Sequence, residues 1–114
     1  MNLSNDVRLT GRLTADPEVK VIGTKGNKVA NFTLAVNNNF KNSDGEYGSE
    51  FIRCEAYGST AEYIEKYFEK GKPMSVGGSL RVNSYDDKDG VKRTSTVVNV
   101  EAVQFVLKDT TMSE

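Results

Sequence analysis

The sequence predicts an all-β domain with one short helix. Most of its 114 residues alternate between apolar and polar side chains, which is the pattern of strands with one buried face. The alternation occurs in about five segments, which are separated by turn-forming residues such as Gly, Asp and Asn. One segment changes to apolar spacings of three and four residues, which is typical of an amphipathic helix.

The first two predicted strands are separated by two turn signals. The first strand covers residues 7–13, and the turn signals lie at residues 15–17 and 23–27. The second strand covers residues 29–36. Its inward face consists of Ala30, Phe32, Leu34 and Val36.

A long hairpin is predicted after the second strand. The segment from Asn37 to Glu50 is polar, and it contains Asp44-Gly45, a strong hairpin signal. We therefore expect this segment to be a long, mobile hairpin loop.

The third predicted strand, residues 51–57, has an unusual outer face. Ile52, Cys54 and Ala56 alternate as its small apolar face and suit a core. A solvated face normally carries polar residues, yet this one begins and ends with an aromatic residue and includes an arginine. This pattern indicates a surface that binds a flat, anionic ligand. The outer face consists of Phe51, Arg53, Glu55 and Tyr57.

The helix is predicted over roughly residues 60–70, as its start and stop signals indicate. Ser59 and Glu62 have the capping-box spacing, in which each side chain satisfies a backbone N–H of the first turn. Gly71 can adopt a left-handed C-cap, and Pro73 prevents the helix from continuing. The buried stripe consists of Ala61, Ile64, Tyr67 and Phe68.

The last two predicted strands form a second hairpin. Residues 86–90 are its tip, and Gly77-Gly78 marks a bulge or sharp bend of the kind that small barrels need at their corners. The inward residues of the fourth strand are Met74, Val76, Leu80 and Val82. The fifth strand begins near Lys92, and its inward residues are Val98, Val100, Val103 and Phe105.

This order of elements predicts the architecture. Five strands with one helix between the third and the fourth fit an OB-fold, a five-stranded Greek-key barrel, here with long hairpin loops. A small β-sandwich is the alternative. Residues 1–108 are assigned to this domain, and residues 109–114 to a short polar tail.

The composition argues against catalysis. The chain has no His, no Trp and a single Cys, so it lacks the commonest general base and cannot build a zinc site or an intrachain disulfide. We predict a protein that is not an enzyme and that needs no cofactor or metal. Because the formal net charge is −1, a nucleic-acid-binding function requires that positive and negative charges are segregated on the surface.

The aromatic residues divide into two sets. Four occupy core positions by periodicity, namely Phe32, Tyr67, Phe68 and Phe105. Four others do not fit the core pattern, namely Phe40, Phe51, Tyr57 and Tyr85. We expect the second set to lie together on one sheet and its hairpins. There the four rings would form a platform on which nucleic-acid bases can stack whatever their sequence. Tyr47 and Tyr63 are ambiguous.

The cations are segregated in a way that suits an anionic ligand. All five arginines lie in predicted strands or at a strand start, whereas the helix contains Glu62, Glu65 and Glu69. We predict phosphate contacts from these arginines, to which two lysines can add. The alternative is a solvated sheet face with scattered charge. The predicted phosphate-binding residues are Arg8, Arg12, Arg53, Arg81, Arg93, Lys28 and Lys41.

Several motifs, taken in order, resemble bacterial and phage single-stranded DNA-binding proteins (SSB). They are Val7-Arg8-Leu9-Thr10-Gly11-Arg12-Leu13-Thr14-Ala15-Asp16-Pro17-Glu18, Val29-Ala30-Asn31-Phe32-Thr33-Leu34-Ala35-Val36-Asn37, Glu50-Phe51-Ile52-Arg53-Cys54, Ala61-Glu62, Lys70-Gly71, Gly78-Ser79-Leu80-Arg81, and Tyr85 followed by Gly90. The resemblance covers nearly all of residues 2–107. It implies an OB-fold that binds single-stranded DNA without sequence preference during replication, recombination and repair. The family's stacking positions fall on Phe40, Phe51, Tyr57 and Tyr85, and its basic contacts match Arg53, Arg81 and Arg93.

The resemblance also implies partners and a location. The family is usually a homotetramer, so we expect a homo-oligomer, with a dimer as the alternative. Asp6 and Asn83-Ser84 occupy positions where many members carry cations. We therefore expect weaker electrostatic attraction to DNA than in those members. The family's acidic C-terminal tip is not visible, so partners recruited through a tail are not expected.

No membrane segment or secretory signal is visible, and we expect a cytoplasmic, nucleoid-associated protein, in the host cytoplasm if the source is a phage. A protein-interaction accessory factor of a primosome-like complex is the alternative function.

Overall fold

The computed structural model describes residues 4–106 of the chain. These residues form six strands and one helix, which confirms the predicted all-β class with a single helix. In chain order they are β1 (Val7–Leu13), β2 (Glu18–Ile22), β3 (Asn27–Lys41), β4 (Tyr47–Tyr57), α1 (Ser59–Tyr67), β5 (Pro73–Asp86) and β6 (Lys92–Phe105). The tail predicted at residues 109–114 lies outside the described residues.

Five of the strands close into a barrel, as the sequence predicts for an OB-fold. Around the ring the order is β1, β5, β6, β4 and β3, and β3 returns to β1 where Arg12 and Leu13 pair with Ala35 and Leu34. All neighbours in the ring are antiparallel except β4 and β6, which run parallel where Cys54 faces Val98.

The short strand β2 lies outside the ring and was not predicted. It pairs with the first part of β3, from Glu18 opposite Asn31 to Ile22 opposite Asn27. Val19 packs against the core, but Val21 and Ile22 are exposed, so β2 lacks the repeated burial on one face that makes a strand recognisable in a sequence.

The core fills the barrel with the inward residues of its strands and the buried stripe of α1. The predicted core positions of Phe32 and Phe68 are confirmed. The buried cluster comprises Leu13, Ala30, Phe32, Leu34, Cys54, Ala56, Ala61, Ile64, Phe68, Met74, Val76, Val98 and Val100. Burial raises the pKa of the Cys54 thiol to about 12, so this side chain is a neutral core residue.

Four residues predicted to point into the core are exposed. Tyr67 and Phe105 lie with Tyr63 in an aromatic cluster on the surface, where the Phe105 ring stacks on Phe68 at 4.9 Å. They follow the apolar period, but they lie at the ends of α1 and β6. Leu80 and Val82 are exposed as well, because the second half of the β5–β6 hairpin extends beyond the strands that would cover it.

The helix begins and ends differently from the prediction. Its N-cap is Gly58, which has a φ of 64° and makes no side-chain capping hydrogen bond, so the predicted capping box of Ser59 and Glu62 is wrong. The helix ends at Tyr67 rather than near residue 70, and the N–H of Phe68 donates to the carbonyl of Ile64. Gly71, with a φ of 85°, lies in the following turn, where its N–H donates to the carbonyl of Leu13.

Both predicted hairpins are present, but the first is more regular than expected. Most of the segment predicted as a loop, residues 37–50, continues β3 and β4 as a ribbon, and only residues 42–46 form its tip. The Asn42 Oδ1 fixes this tip by accepting hydrogen bonds from the N–H groups of Asp44 and Glu46. The predicted bulge at Gly77-Gly78 is confirmed, since the β5–β6 register shifts between these two residues.

No helix within residues 4–106 is long and apolar enough to cross a lipid bilayer.

Candidate nucleic-acid interface

The outer surface of β4 is the centre of the candidate site. Because side chains alternate along a strand, the same geometry that buries Cys54 and Ala56 directs their neighbours outward. The side chain of Phe51 is 70% exposed and that of Tyr57 is 49% exposed. The predicted outward orientation of both rings is therefore what the structure shows.

Residues of β3 and β6, the two neighbours of β4, and of β5, the next strand beyond β6, extend this surface. On β3, Ala35 is opposite Phe51 and Thr33 is opposite Arg53. Residues in register on adjacent strands point to the same side of a sheet, so together they form one continuous surface. We call this surface the β4 face and define it as Phe51, Arg53, Glu55 and Tyr57 of β4, Asn31, Thr33 and Ala35 of β3, Arg81 of β5, and Ser95, Val97 and Asn99 of β6.

Two hydrogen bonds organise the polar groups of the β4 face. The guanidinium of Arg53 donates to the Ser95 hydroxyl at 3.2 Å, which ties β4 to β6. The Tyr57 hydroxyl donates to Glu55 Oε1, also at 3.2 Å. Partial burial of Tyr57, followed by the charge of Glu55, raises the pKa of the Tyr57 hydroxyl, and the nearby charge of Arg81 acts in the opposite direction.

The two remaining predicted stacking residues lie on the two hairpins. Phe40, on the β3–β4 ribbon, is 63% exposed, and Tyr85, on the β5–β6 hairpin, is 52% exposed. Next to Phe40, Lys41 is opposite Tyr47 and its ammonium lies 5.8 Å from the centre of that ring.

Arg93 faces Tyr85 across the β5–β6 hairpin. It forms an ion pair of 2.8 Å with Asp87. This contact, together with hydrogen bonds from the backbone, lowers the pKa of the Asp87 carboxyl. Tyr85 therefore has a cation beside it that a carboxylate holds in place.

A cleft of about 450 Å³ borders the β4 face. Its lining includes Arg53 and Thr33 of the β4 face, and also Asp16, Glu18 and Lys20 from β2 and the turn before it. Charges of both signs therefore line this cleft, and its Arg53 also belongs to the β4 face.

Two predicted phosphate-binding residues lie away from the β4 face. Arg8 lines a different cleft formed by β1, β5 and β6, and its guanidinium lies 3.6 Å from the Asp6 carboxylate. The ammonium of Lys28 donates to Glu65 of α1 at 3.0 Å, and this hydrogen bond raises the pKa of Lys28. Arg12 lies at the edge of the β4 face. It is in register with Ala35, which belongs to that face, but its guanidinium donates to the Gly71 carbonyl.

Several polar and apolar members of the β4 face were not predicted from the sequence. Ser95 and Val97 lie beside β4 only because β4 and β6 pair in parallel, and no local pattern indicates that pairing. Thr33 is assigned to the outer face by its alternation with Phe32 and Leu34, but nothing in the sequence singled it out as a contact. Tyr47, which was ambiguous, is 61% exposed.

Nothing in the described part of the chain resembles a metal centre, since residues 4–106 contain no group of three or more His, Cys, Asp or Glu that could hold an ion. The chemistry that the β4 face offers is ring stacking, hydrogen bonding and positive charge.

Comparison with known proteins identifies close relatives of the chain. The model of the single-strand binding protein family matches residues 4–106. The single-stranded DNA-binding protein of Clostridium perfringens is 44% identical over 102 residues, which cover 90% of this chain and 65% of that protein. Single-stranded DNA-binding protein 1 of Clostridium acetobutylicum is 42% identical, with 90% and 93% covered. Single-stranded DNA-binding protein B of Bacillus subtilis is 38% identical, with 90% and 89% covered. The chain thus spans slightly less than two thirds of the C. perfringens protein.

Proposed function

Because the chain belongs to the single-strand binding protein family, we propose that it binds single-stranded DNA without sequence preference. The observation that carries this proposal is the exposure of four aromatic rings on the β4 face and its two flanking hairpins. We further propose that it protects single-stranded DNA during replication, recombination and repair in the cytoplasm, and that it acts by binding alone.

In the proposed mechanism, the aromatic rings bind the bases and the cationic side chains bind the phosphates. Unpaired bases stack on Phe51 and Tyr57 and, at the hairpins, on Phe40 and Tyr85. Every base has a π-face, so this contact tolerates any sequence. Arg53 and Arg81 lie among the rings and neutralise phosphates, while Arg93, Arg12 and Lys41 extend the positive charge toward the edges of the surface.

Salt dependence tests the proposed phosphate contacts. We expect the affinity for a dT oligomer to fall as salt rises, with a log–log slope of roughly −0.7 for each phosphate neutralised. Arg81→Gln is expected to make this slope shallower by about 0.7, because one counterion-releasing contact is lost. Fluorescence titration at several NaCl concentrations measures the slope.

Arg8→Gln is the matched comparison for this titration. Arg8 lies in the cleft of β1, β5 and β6, away from the β4 face, so the slope is expected to stay unchanged. An affinity of the unsubstituted protein that does not change with salt, or that is negligible throughout, contradicts the proposal and favours the accessory-factor alternative.

We also propose that the chain forms a homo-oligomer, with a tetramer favoured over a dimer. Strand β1 pairs with β5 from Val7 to Arg12 but with β3 only at Arg12 and Leu13. Its edge over residues 7–11 therefore has no partner strand among the described residues. An unpaired strand edge is a template for pairing with another chain.

Light scattering measures the oligomeric state directly. We expect a mass of about four times the 12.6 kDa of one chain, both with and without dT oligomer. A mass of one chain under both conditions contradicts the oligomer without affecting the DNA-binding proposal.

A further inference from the structure

Glu55 is an unexpected residue on a surface proposed to bind a polyanion. It lies on β4 between Arg53 and Tyr57, and its side chain is half-buried. It forms no ion pair with any of residues 4–106. A carboxylate at this position repels the phosphates of a bound strand, so its presence weakens binding unless it makes a compensating contact with the ligand.

The hydrogen bonds of Glu55 leave one oxygen available. Oε1 accepts from the Tyr57 hydroxyl, whereas no donor in the described part of the chain bonds to Oε2. The Tyr57 ring is one of the proposed stacking surfaces, so this oxygen lies next to the position that a base would occupy.

Two amide side chains extend the polar row on either side of Glu55. Asn31 of β3 and Asn99 of β6 are both in register with Glu55. Both side chains are half-buried. Beside the ring there is therefore one group that only accepts hydrogen bonds, flanked by two groups that can donate or accept.

This arrangement favours bases that carry an exocyclic amino group. Cytosine presents an amino donor next to a ring-nitrogen acceptor, and a carboxylate with a neighbouring amide can satisfy both. Thymine presents a carbonyl oxygen in place of the amino group, and an ionised carboxylate cannot donate to it. An amide can change its orientation to suit either base, so Glu55 is the residue that discriminates.

We propose that Glu55 is a specificity-determining residue, which favours amino-bearing bases over thymine at the Tyr57 stacking position. The inference rests on the proposed binding of single-stranded DNA and deepens it. Stacking provides binding to every base, and Glu55 adds a modest preference for cytosine over thymine.

The test compares dC and dT oligomers of equal length in fluorescence titrations. Both are pyrimidines, so the stacking area is nearly matched, and the ratio of their affinities reports on hydrogen bonding. We expect Glu55→Gln to lower the dC-to-dT affinity ratio by about threefold or more, which corresponds to the lower end of the net contribution of one hydrogen bond. We also expect it to raise the affinity for dT, since a charge that repels phosphate is removed.

Two further variants isolate the cause. Glu50→Gln removes the same charge from the same strand at a position of the other parity, and it is expected to leave the dC-to-dT ratio unchanged. Tyr57→Phe removes only the hydroxyl that occupies Oε1. If Glu55 merely orients the Tyr57 ring, Tyr57→Phe will change the ratio as Glu55→Gln does. If Glu55 contacts the base, Tyr57→Phe will preserve or increase the ratio.

The possible failures are distinguishable. An unchanged dC-to-dT ratio in Glu55→Gln, with strong binding of both oligomers, overturns the role of Glu55 and leaves DNA binding intact. Equal changes of the ratio in Glu55→Gln and Tyr57→Phe also overturn it. Absence of binding to both oligomers by the unsubstituted protein removes the proposed function and this inference together.

Discussion

Replacing Phe51 and Tyr57 together by alanine is expected to weaken the binding of dT oligomers by about 30-fold or more. Stacking of one base on an aromatic ring contributes roughly 1–3 kcal/mol, and two rings on the same strand serve two stacking positions. Loss of at least about 2 kcal/mol corresponds to this fold-change in affinity. Fluorescence or anisotropy titration at fixed salt measures it.

The fold is expected to tolerate this double substitution. Both rings are largely exposed, at 70% and 49%, so their removal opens no cavity in the core. Thermal unfolding is expected to shift by only a few degrees, which separates lost binding from lost structure. Tyr63→Ala, an exposed aromatic residue on α1, is the matched control and should bind as the unsubstituted protein does. Undiminished affinity of the double variant would remove stacking on the β4 face from the mechanism.

The aromatic part of the candidate site could be predicted because it depends on parity within one strand. Once Cys54 and Ala56 are assigned to the core, Phe51 and Tyr57 must point outward. The polar part could not be predicted in the same way. Ser95 meets Arg53 only through the parallel pairing of β4 with β6, and the register between distant strands is not encoded in a local pattern.

The errors in the predicted core have a related physical origin. Periodicity shows which side chains share a face, but it does not show how far along an element that face is covered. Leu80 and Val82 alternate with their neighbours as Met74 and Val76 do, yet only the latter pair is buried. Beyond Gly78, β5 is no longer paired with β1, and the position where that pairing ends is a property of the whole ring of strands.

The start of α1 was mispredicted because a backbone conformation replaced a side-chain cap. Gly58 has a φ of 64°, which favours glycine. Its carbonyl accepts from the N–H of Glu62, and its own N–H donates to the carbonyl of Lys28. The spacing of Ser59 and Glu62 is thus compatible with a capping box, but the turn between β4 and α1 places a different residue at the helix start.

The paired glycines of β5 were correctly predicted to mark a bulge, but the sequence does not show that their roles differ. At the bulge, Gly77 is opposite Ala102 and Gly78 is opposite Val100, so Glu101 is the additional residue of β6. A Cβ atom on Gly77 would have no atom within 4 Å. A Cβ atom on Gly78 would overlap with the carbonyl oxygen of Asn99, and it would lie 2.9 Å from the carbonyl carbon and 3.1 Å from Val100 Cα.

Gly78→Ala is therefore expected to destabilise the protein by about 3 kcal/mol or more, at the upper end of the cost of overpacking. The colliding atoms belong to the backbone of β6, so no side chain can rotate away, and relief requires that β5 and β6 separate where the barrel turns. Urea denaturation followed by circular dichroism measures the change in the free energy of unfolding.

Gly77→Ala is a closely matched control, because it adds the same methyl group to the adjacent residue of the same strand. With open space around it and no positive φ, Gly77→Ala is expected to change the free energy of unfolding by less than about 1 kcal/mol, or to increase it slightly by restricting the unfolded chain. If the close approach of Gly78 to Asn99 fixes the geometry of the bulge, Gly78→Ala will lower the free energy of unfolding far more than Gly77→Ala. Equal effects of the two substitutions would show that the bulge accommodates a side chain at either position, and that this close approach does not fix its geometry.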